Sequence, residues 1–220
     1  MKLSFSIQNW DGIEWQEFCD VAKDTKMKGV EMYDLESPIF RGKSTPTNPE
    51  YASATRRHLQ NAELSIPCID TVADFTDADF LSEFTEAMEV AVNLGIPSIS
   101  VHTNSDDHDT NVEALTILKE MSEDFPVAIL VETTGTYADT GLLRELLNEF
   151  ADDQELAACW NMYATCAEGN EDAETTITNL GAYVHHVHIH DYRKVADRVS
   201  PELIGEGELP LKELMNALRS

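Results

Sequence analysis

Basic residues are scarce in this chain of 220 residues: Lys and Arg total 15 against 41 Asp and Glu, a formal net charge of -26. Between His58 and Asp191 the only basic side chains are Lys119 and Arg144. Holding a phosphate backbone takes a basic surface, so the composition argues against a nucleic-acid partner. It argues equally against docking on an anionic membrane. Long apolar runs are missing too: none reaches the ~18 residues of a membrane-crossing helix. The opening MKLSFSIQNWDGIEW has neither the apolar stretch nor the small-residue cleavage site of a signal peptide. Cysteine is sparse, with Cys19, Cys68, Cys159 and Cys166 forming no C-x-x-C and no zinc-finger spacing. They are expected to be reduced thiols filling the core of a cytoplasmic protein. No G-x-S-x-G elbow is present. Gln8-Asn9-Trp10-Asp11-Gly12, after the first strand candidate, is not a dinucleotide-binding glycine motif. Arg41-Gly42-Lys43-Ser44 ends like a phosphate loop, but Ser37 stands where its first glycine must be.

Short β-rich runs alternate with amphipathic helical stretches along the whole chain. The strand candidates are 2–8, 29–35, 64–71, 98–103, 127–133, 155–162 and 185–191. Their starts recur roughly every 30 residues, the period of a βα unit. The helical stretches carry ordinary signals. Trp15, Phe18, Cys19 and Ala22 fall on one face, and Asn48 precedes Pro49 as a cap precedes the first turn. Asp139 or Thr140 can cap a helix whose buried face is Leu142, Leu143, Leu146, Leu147 and Phe150. Near-equal βα units without a dinucleotide motif predict an α/β fold of the TIM-barrel type, as one domain over residues 1–220. Seven units are visible, and the period puts an eighth strand beyond the helix at Leu211–Leu218, so the barrel reads as truncated at its C-terminus. Open edges at the first and seventh strands make a homo-oligomer plausible.

Barrel chemistry sits at the C-terminal ends of the strands. Period-2 alternation there puts Glu132 with Ala128 and Leu130 on one face of its strand. The same alternation aligns His102 with Ser98 and Ser100, Asn161 with Ala157 and Cys159, and His186 with His188 and His190. With Glu31 on the second strand, these residues supply carboxylate, imidazole and amide groups that can converge on one mouth. That is a donor set for a Mn²⁺-, Mg²⁺- or Zn²⁺-type site. Asp191, on the opposite face from the histidines, is expected to be structural or to orient a neighbour. His58 and His108 are expected at the surface.

Four segments, in order, resemble the xylose isomerase-like TIM barrels, in particular the sugar phosphate isomerases and epimerases. They are Val131-Glu132-Thr133-Thr134-Gly135 with Tyr137-Ala138-Asp139-Thr140, then Trp160-Asn161, then the run from Leu180 to Asp191, then Ile204-Gly205-Glu206-Gly207-Glu208-Leu209-Pro210-Leu211. The resemblance implies a divalent metal (Mn, Mg, Co or Zn) held by a Glu of strand five, an Asp of strand six, a His of strand seven and a Glu of strand eight. Glu132 matches the first and His188 the third. Asn161 stands in place of the Asp, Ala164 in place of a His that often follows it, and the strand-eight Glu has no counterpart. The implied reaction is metal-dependent isomerisation or epimerisation of a small sugar or sugar phosphate. In it Glu132 and His188 are catalytic, Glu132, Asn161 and His188 hold the metal, and Glu31, His102, His190 and Trp160 contact substrate. The alternative is a catalytically degenerate barrel that binds sugar or serves as a scaffold within a larger protein, which the Asn161 and Ala164 departures favour.

Overall fold

The computed structural model describes residues 2–10, 12–41, 45–151, 155–195 and 198–219. Gly42, Lys43 and Ser44 of the discarded phosphate-loop match, and Asp11 of the discarded glycine motif, lie outside them. In chain order the elements are β1 (Ser4–Ser6), α1 (Trp15–Asp24), β2 (Gly29–Tyr33), α2 (Ala52–Ala62), β3 (Ile69–Asp74), α3 (Phe80–Leu94), β4 (Ser98–His102), α4 (His108–Ser122) and β5 (Ala128–Glu132). They continue as α5 (Thr140–Asn148), β6 (Leu156–Asn161), α6 (Met162–Ala167), α7 (Ala173–Leu180), β7 (Val184–His188), β8 (Asp191–Val195), β9 (Arg198–Glu202) and α8 (Leu211–Ala217). The strands β1 to β7 form one sheet in sequence order. A doubly wound sheet would reverse its order midway, whereas consecutive strands with a helix between each pair are the TIM-barrel arrangement. Among the described residues no eighth strand joins this sheet, and β8 and β9 pair with each other as an antiparallel hairpin. No described helix is long and apolar enough to cross a membrane.

Two compact units divide the chain, one of Met1–Ala73, Asp77–Val101 and Ile117–Ile129, the other of Asp74–Thr76, His102–Thr116 and Leu130–Ser220. In the first, α1 buries Trp15, Phe18, Cys19 and Ala22, the face its spacing predicts. Asn48 caps a short 3-10 turn at Pro49–Tyr51, its side chain accepting from the Glu50 N–H, and the chain runs from there into α2. The third strand starts at Ile69 rather than Leu64. The Leu64 N–H closes the end of α2 on Leu59, Ser65 makes only an isolated bridge to Gly29, and Pro67 has no N–H to give a ladder. Gly29 is required there, since a Cβ would sit 2.8 Å from the Ser65 carbonyl oxygen. Glu31 is buried on β2.

In the second unit Asp139 caps α5, its carboxylate accepting from the N–H groups of Gly141 and Leu142. The α5 face is narrower than expected: Leu143, Leu146 and Leu147 are buried, but Leu142 is 42% exposed and Phe150 only half-buried. His108 is exposed, as expected, while His58, in the first unit, is half-buried and bonded to Gln16 rather than free at the surface. The strand expected over 185–191 splits. The sheet strand β7 ends at His188, and Asp191 opens the hairpin.

The Asp191 carboxylate explains the split. One oxygen accepts from the N–H groups of Tyr192 and Leu209, the other from Gly205 and Gly207, all at 2.8–3.0 Å. It is 3% exposed and draws the segment from Gly205 to Leu209 back onto the start of β8. Burial alone would push this carboxyl up, but the four N–H donors outweigh it and hold it below the usual carboxylate range. Leu209 is thereby placed in a core with Trp160, Met162, Ala173 and Leu214.

Gly169 has no room for a side chain, because a Cβ would overlap the carbonyl oxygen of Ala138. Both groups are backbone, so neither can swing aside. Gly169→Ala should therefore lower unfolding stability by about 2 kcal/mol, read by urea denaturation, the cost typical of overpacking.

Candidate active site

Glu132 ends β5, Asn161 ends β6 and His188 ends β7, so three neighbouring strands deliver their last residues to one place. The ladder pairs Asn161 with His188 directly. Thr133 locks β5 to β6, its hydroxyl accepting from the Asn161 N–H at 2.8 Å. All three side chains are buried, with 7–9% exposure.

Glu132 is the hub of a polar cluster. Its Oε1 accepts from His188 Nδ1 at 2.5 Å and from Asn161 Nδ2 at 3.0 Å, and its Oε2 accepts from the Thr134 hydroxyl at 3.3 Å. Burial pushes the Glu132 carboxyl up. The hydrogen bond and charge of His188, the Asn161 amide and the nearby His102 outweigh that, and the carboxyl lies below its ordinary value. With His188 Nδ1 facing Glu132 Oε1, a metal held by both side chains would take the place of the proton they share. The Asn161 amide is engaged at both ends, since its Oδ1 also caps α6 by accepting from the Ala164 N–H at 3.1 Å.

The remaining expected residues fall in different settings. His102 is half-buried at the end of β4. His190 lies beyond β7 and is exposed, its ring centroid 6.4 Å from that of His188. Glu31 belongs to the first unit. Trp160, expected to contact substrate, is fully buried in the core with Leu209 and Leu214, and its indole N–H donates to Thr165 at 3.0 Å. Alternation along β6 puts it on the face opposite Asn161.

Sequence reasoning missed Glu168, just past α6. Burial and the negative charge of Glu132 both push its carboxyl up. The two carboxyls are thus shifted apart, Glu132 held ionised and Glu168 drawn toward holding a proton. No sequence pattern marks Glu168, because both its burial and its charged neighbour Glu132 arise from tertiary packing.

The donor set bears on the family's metal. A hard ion such as Mg²⁺ wants several oxygen ligands in near-octahedral order. Glu132 is the one carboxylate at these three strand ends, and the Asn161 oxygen already accepts a bond. A borderline ion that takes imidazole and a single carboxylate fits these residues better.

The chain matches the xylose isomerase-like TIM barrel family over residues 19–220, and it belongs to that family. Among solved structures it is similar to a xylose isomerase domain protein from Planctomyces limnophilus, at 19% identity and TM-score 0.76, covering 98% of this chain and 84% of that one. A probable 3-DHS dehydratase, AsbF, from Bacillus anthracis matches at 16% identity and TM-score 0.79, covering 100% and 89%. The D-allulose 3-epimerase from Methylomonas sp., solved with D-allulose, matches at 16% identity and TM-score 0.72, covering 100% and 80%. At these identities the likeness is one of fold. No curated protein sequence matches the chain.

Proposed function

We propose that this protein is a sugar isomerase or epimerase that moves the proton next to a sugar carbonyl, with a divalent metal held by Glu132 and His188. The observation that carries the reading is the buried, ionised Glu132 bonded to His188 and Asn161 at the ends of β5, β6 and β7. The fold's other sugar-acting members, such as the D-allulose 3-epimerase, support it. When bound, the metal would polarise the substrate's carbonyl and hydroxyl oxygens. Glu132 supplies fixed negative charge and, held below its ordinary pKa, is a better anchor than base. His188 is oriented by Glu132, and Asn161 keeps that carboxylate in place. Glu168, with its raised pKa, is the carboxyl suited to take the C–H proton and return it. In this reading His102 and His190 contact substrate hydroxyls.

A second reading, a barrel that binds sugar without turnover or serves as a scaffold, is favoured by one observation. Asn161 stands where the family has an acidic ligand, and both ends of its amide are spent on structural bonds.

The test is solvent deuterium incorporation at the carbon next to the carbonyl, followed by proton NMR. A panel of ketopentoses, ketohexoses and their phosphates is run with Mn²⁺, Co²⁺, Zn²⁺ or Mg²⁺. Incorporation into one sugar, with product of inverted or shifted configuration, is expected. No exchange in any sugar with any metal, alongside saturable sugar binding, would establish the second reading instead.

A further inference from the structure

The cluster of Glu132 and His188 has a third member that its residue type alone assigns to core filling. Cys159 lies two residues before Asn161 on β6, hence on the same face of that strand, and is fully buried. One ligand-capable atom from each of Glu132, Cys159 and His188 lies within 4.8 Å of the other two. The backbone fixes this spacing. The Thr133 N–H, next to Glu132, donates to the Cys159 carbonyl at 3.0 Å, and in the β6–β7 ladder Cys159 pairs with His186 two places before Asn161 pairs with His188.

We infer that Glu132, Cys159 and His188 form a thiolate-containing metal site that selects Zn²⁺ or Co²⁺ over Mg²⁺ and Mn²⁺. This rests on the reading of Glu132 and His188 as metal ligands and names the class of ion they take. One thiolate, one imidazole and one carboxylate form a ligand set for a borderline-soft ion. Bonds of about 2.0–2.3 Å in a tetrahedral site put such donors roughly 3–4 Å apart; the three atoms lie within 4.8 Å of one another, and Glu132 Oε1 and His188 Nδ1, now 2.5 Å apart, would part to admit the ion. Three protein donors also leave a fourth position for a substrate oxygen, as catalytic zinc sites do. Binding is written in balance as Cys159–SH plus the divalent ion giving the Cys159 thiolate–metal bond plus one released proton, which passes to solvent. The burial of all three side chains separates this site from the exposed carboxylates of so acidic a chain, which hold cations loosely and without thiolate.

The test is titration of the purified full chain with Co²⁺ in excess Mg²⁺, which occupies the exposed carboxylates. Stoichiometric uptake with a near-ultraviolet sulfur-to-cobalt charge-transfer band is expected, and Zn²⁺ should bleach that band by displacement. Cys159→Ser should lose the band and weaken Co²⁺ and Zn²⁺ binding by more than about 100-fold, beyond the loss typical of a residue that only supports a ligand. Cys166→Ser should keep the band. Circular dichroism checks folding, and Cys159→Ala replaces the serine variant if the latter does not fold. Stoichiometric Co²⁺ binding that is lost in Glu132→Gln but shows no thiolate band overturns the inference and leaves the metal reading of Glu132 and His188 standing. A band that survives in Cys159→Ser overturns it by assigning the thiolate to another cysteine. No Co²⁺ retained against Mg²⁺ removes both.

Discussion

Glu132→Gln should lower kcat/KM on any sugar the protein turns over by about 1,000-fold, within the range of a lost catalytic or ligating group, while leaving the protein folded. The glutamine keeps the shape of the side chain. Its carbonyl oxygen still accepts from His188, and the Thr134 hydroxyl can turn to accept from the new amide. The loss of stability should therefore stay near 1 kcal/mol, the net worth of one hydrogen bond. What disappears is the negative charge, and with it the anion that holds His188 and, in the proposed function, the metal. Steady-state kinetics with thermal unfolding of the same sample separates the two effects. A variant within about tenfold of wild-type kcat/KM, a barrier change of only about 1.4 kcal/mol, would place the chemistry away from the ends of β5 to β7.

Asp191→Ala should remove about 3 kcal/mol of unfolding stability, because the four N–H groups that converge on this carboxylate lose a charged acceptor together. Water can replace it at Gly205, which is exposed, but not readily at Leu209, which is buried. The effect should depend on pH in a fixed direction. The folded pKa of Asp191 lies below the unfolded value of about 3.9, as the four N–H bonds require. Its stabilisation is complete above that pH and fades as the pH falls through the folded value. The difference between wild type and Asp191→Ala in urea should accordingly be full at neutral pH and shrink in acid. A difference that is constant with pH would mean that packing around Leu209, rather than the carboxylate charge, holds the loop.

The alternation of strands and helices was legible from Lys2 to Leu218 because each unit carries its own period and its own caps, as at Asn48 and Asp139. Strand ends were less legible. The start of β3 depends on which backbone groups α2 has already used, and the end of β7 depends on an Asp191 carboxylate that binds backbone far along the chain. Neither condition has a local pattern. Within the site, alternation brought Glu132, Asn161 and His188 to consecutive strand ends, and the family resemblance singled out the same residues. It could not show that the Asn161 amide would be shared between Glu132 and the cap of α6, or that Glu168 would titrate against Glu132. Cys159 was on the right face by count, but a small buried thiol looks the same whether it fills a core or faces a ligand. Trp160 misled because proximity in sequence to Asn161 is opposition in space on a strand.

The loop from Gly205 to Leu209 has one more consequence. In many barrels the backbone amides after the seventh and eighth strands grip a substrate phosphate. Here the amides of Gly205, Gly207 and Leu209 already hold an anion, the carboxylate of Asp191, and that anion is covalently part of the chain. A tethered occupant competes at an effective concentration no free phosphate reaches. The loop is thus a receptor sold with its ligand attached.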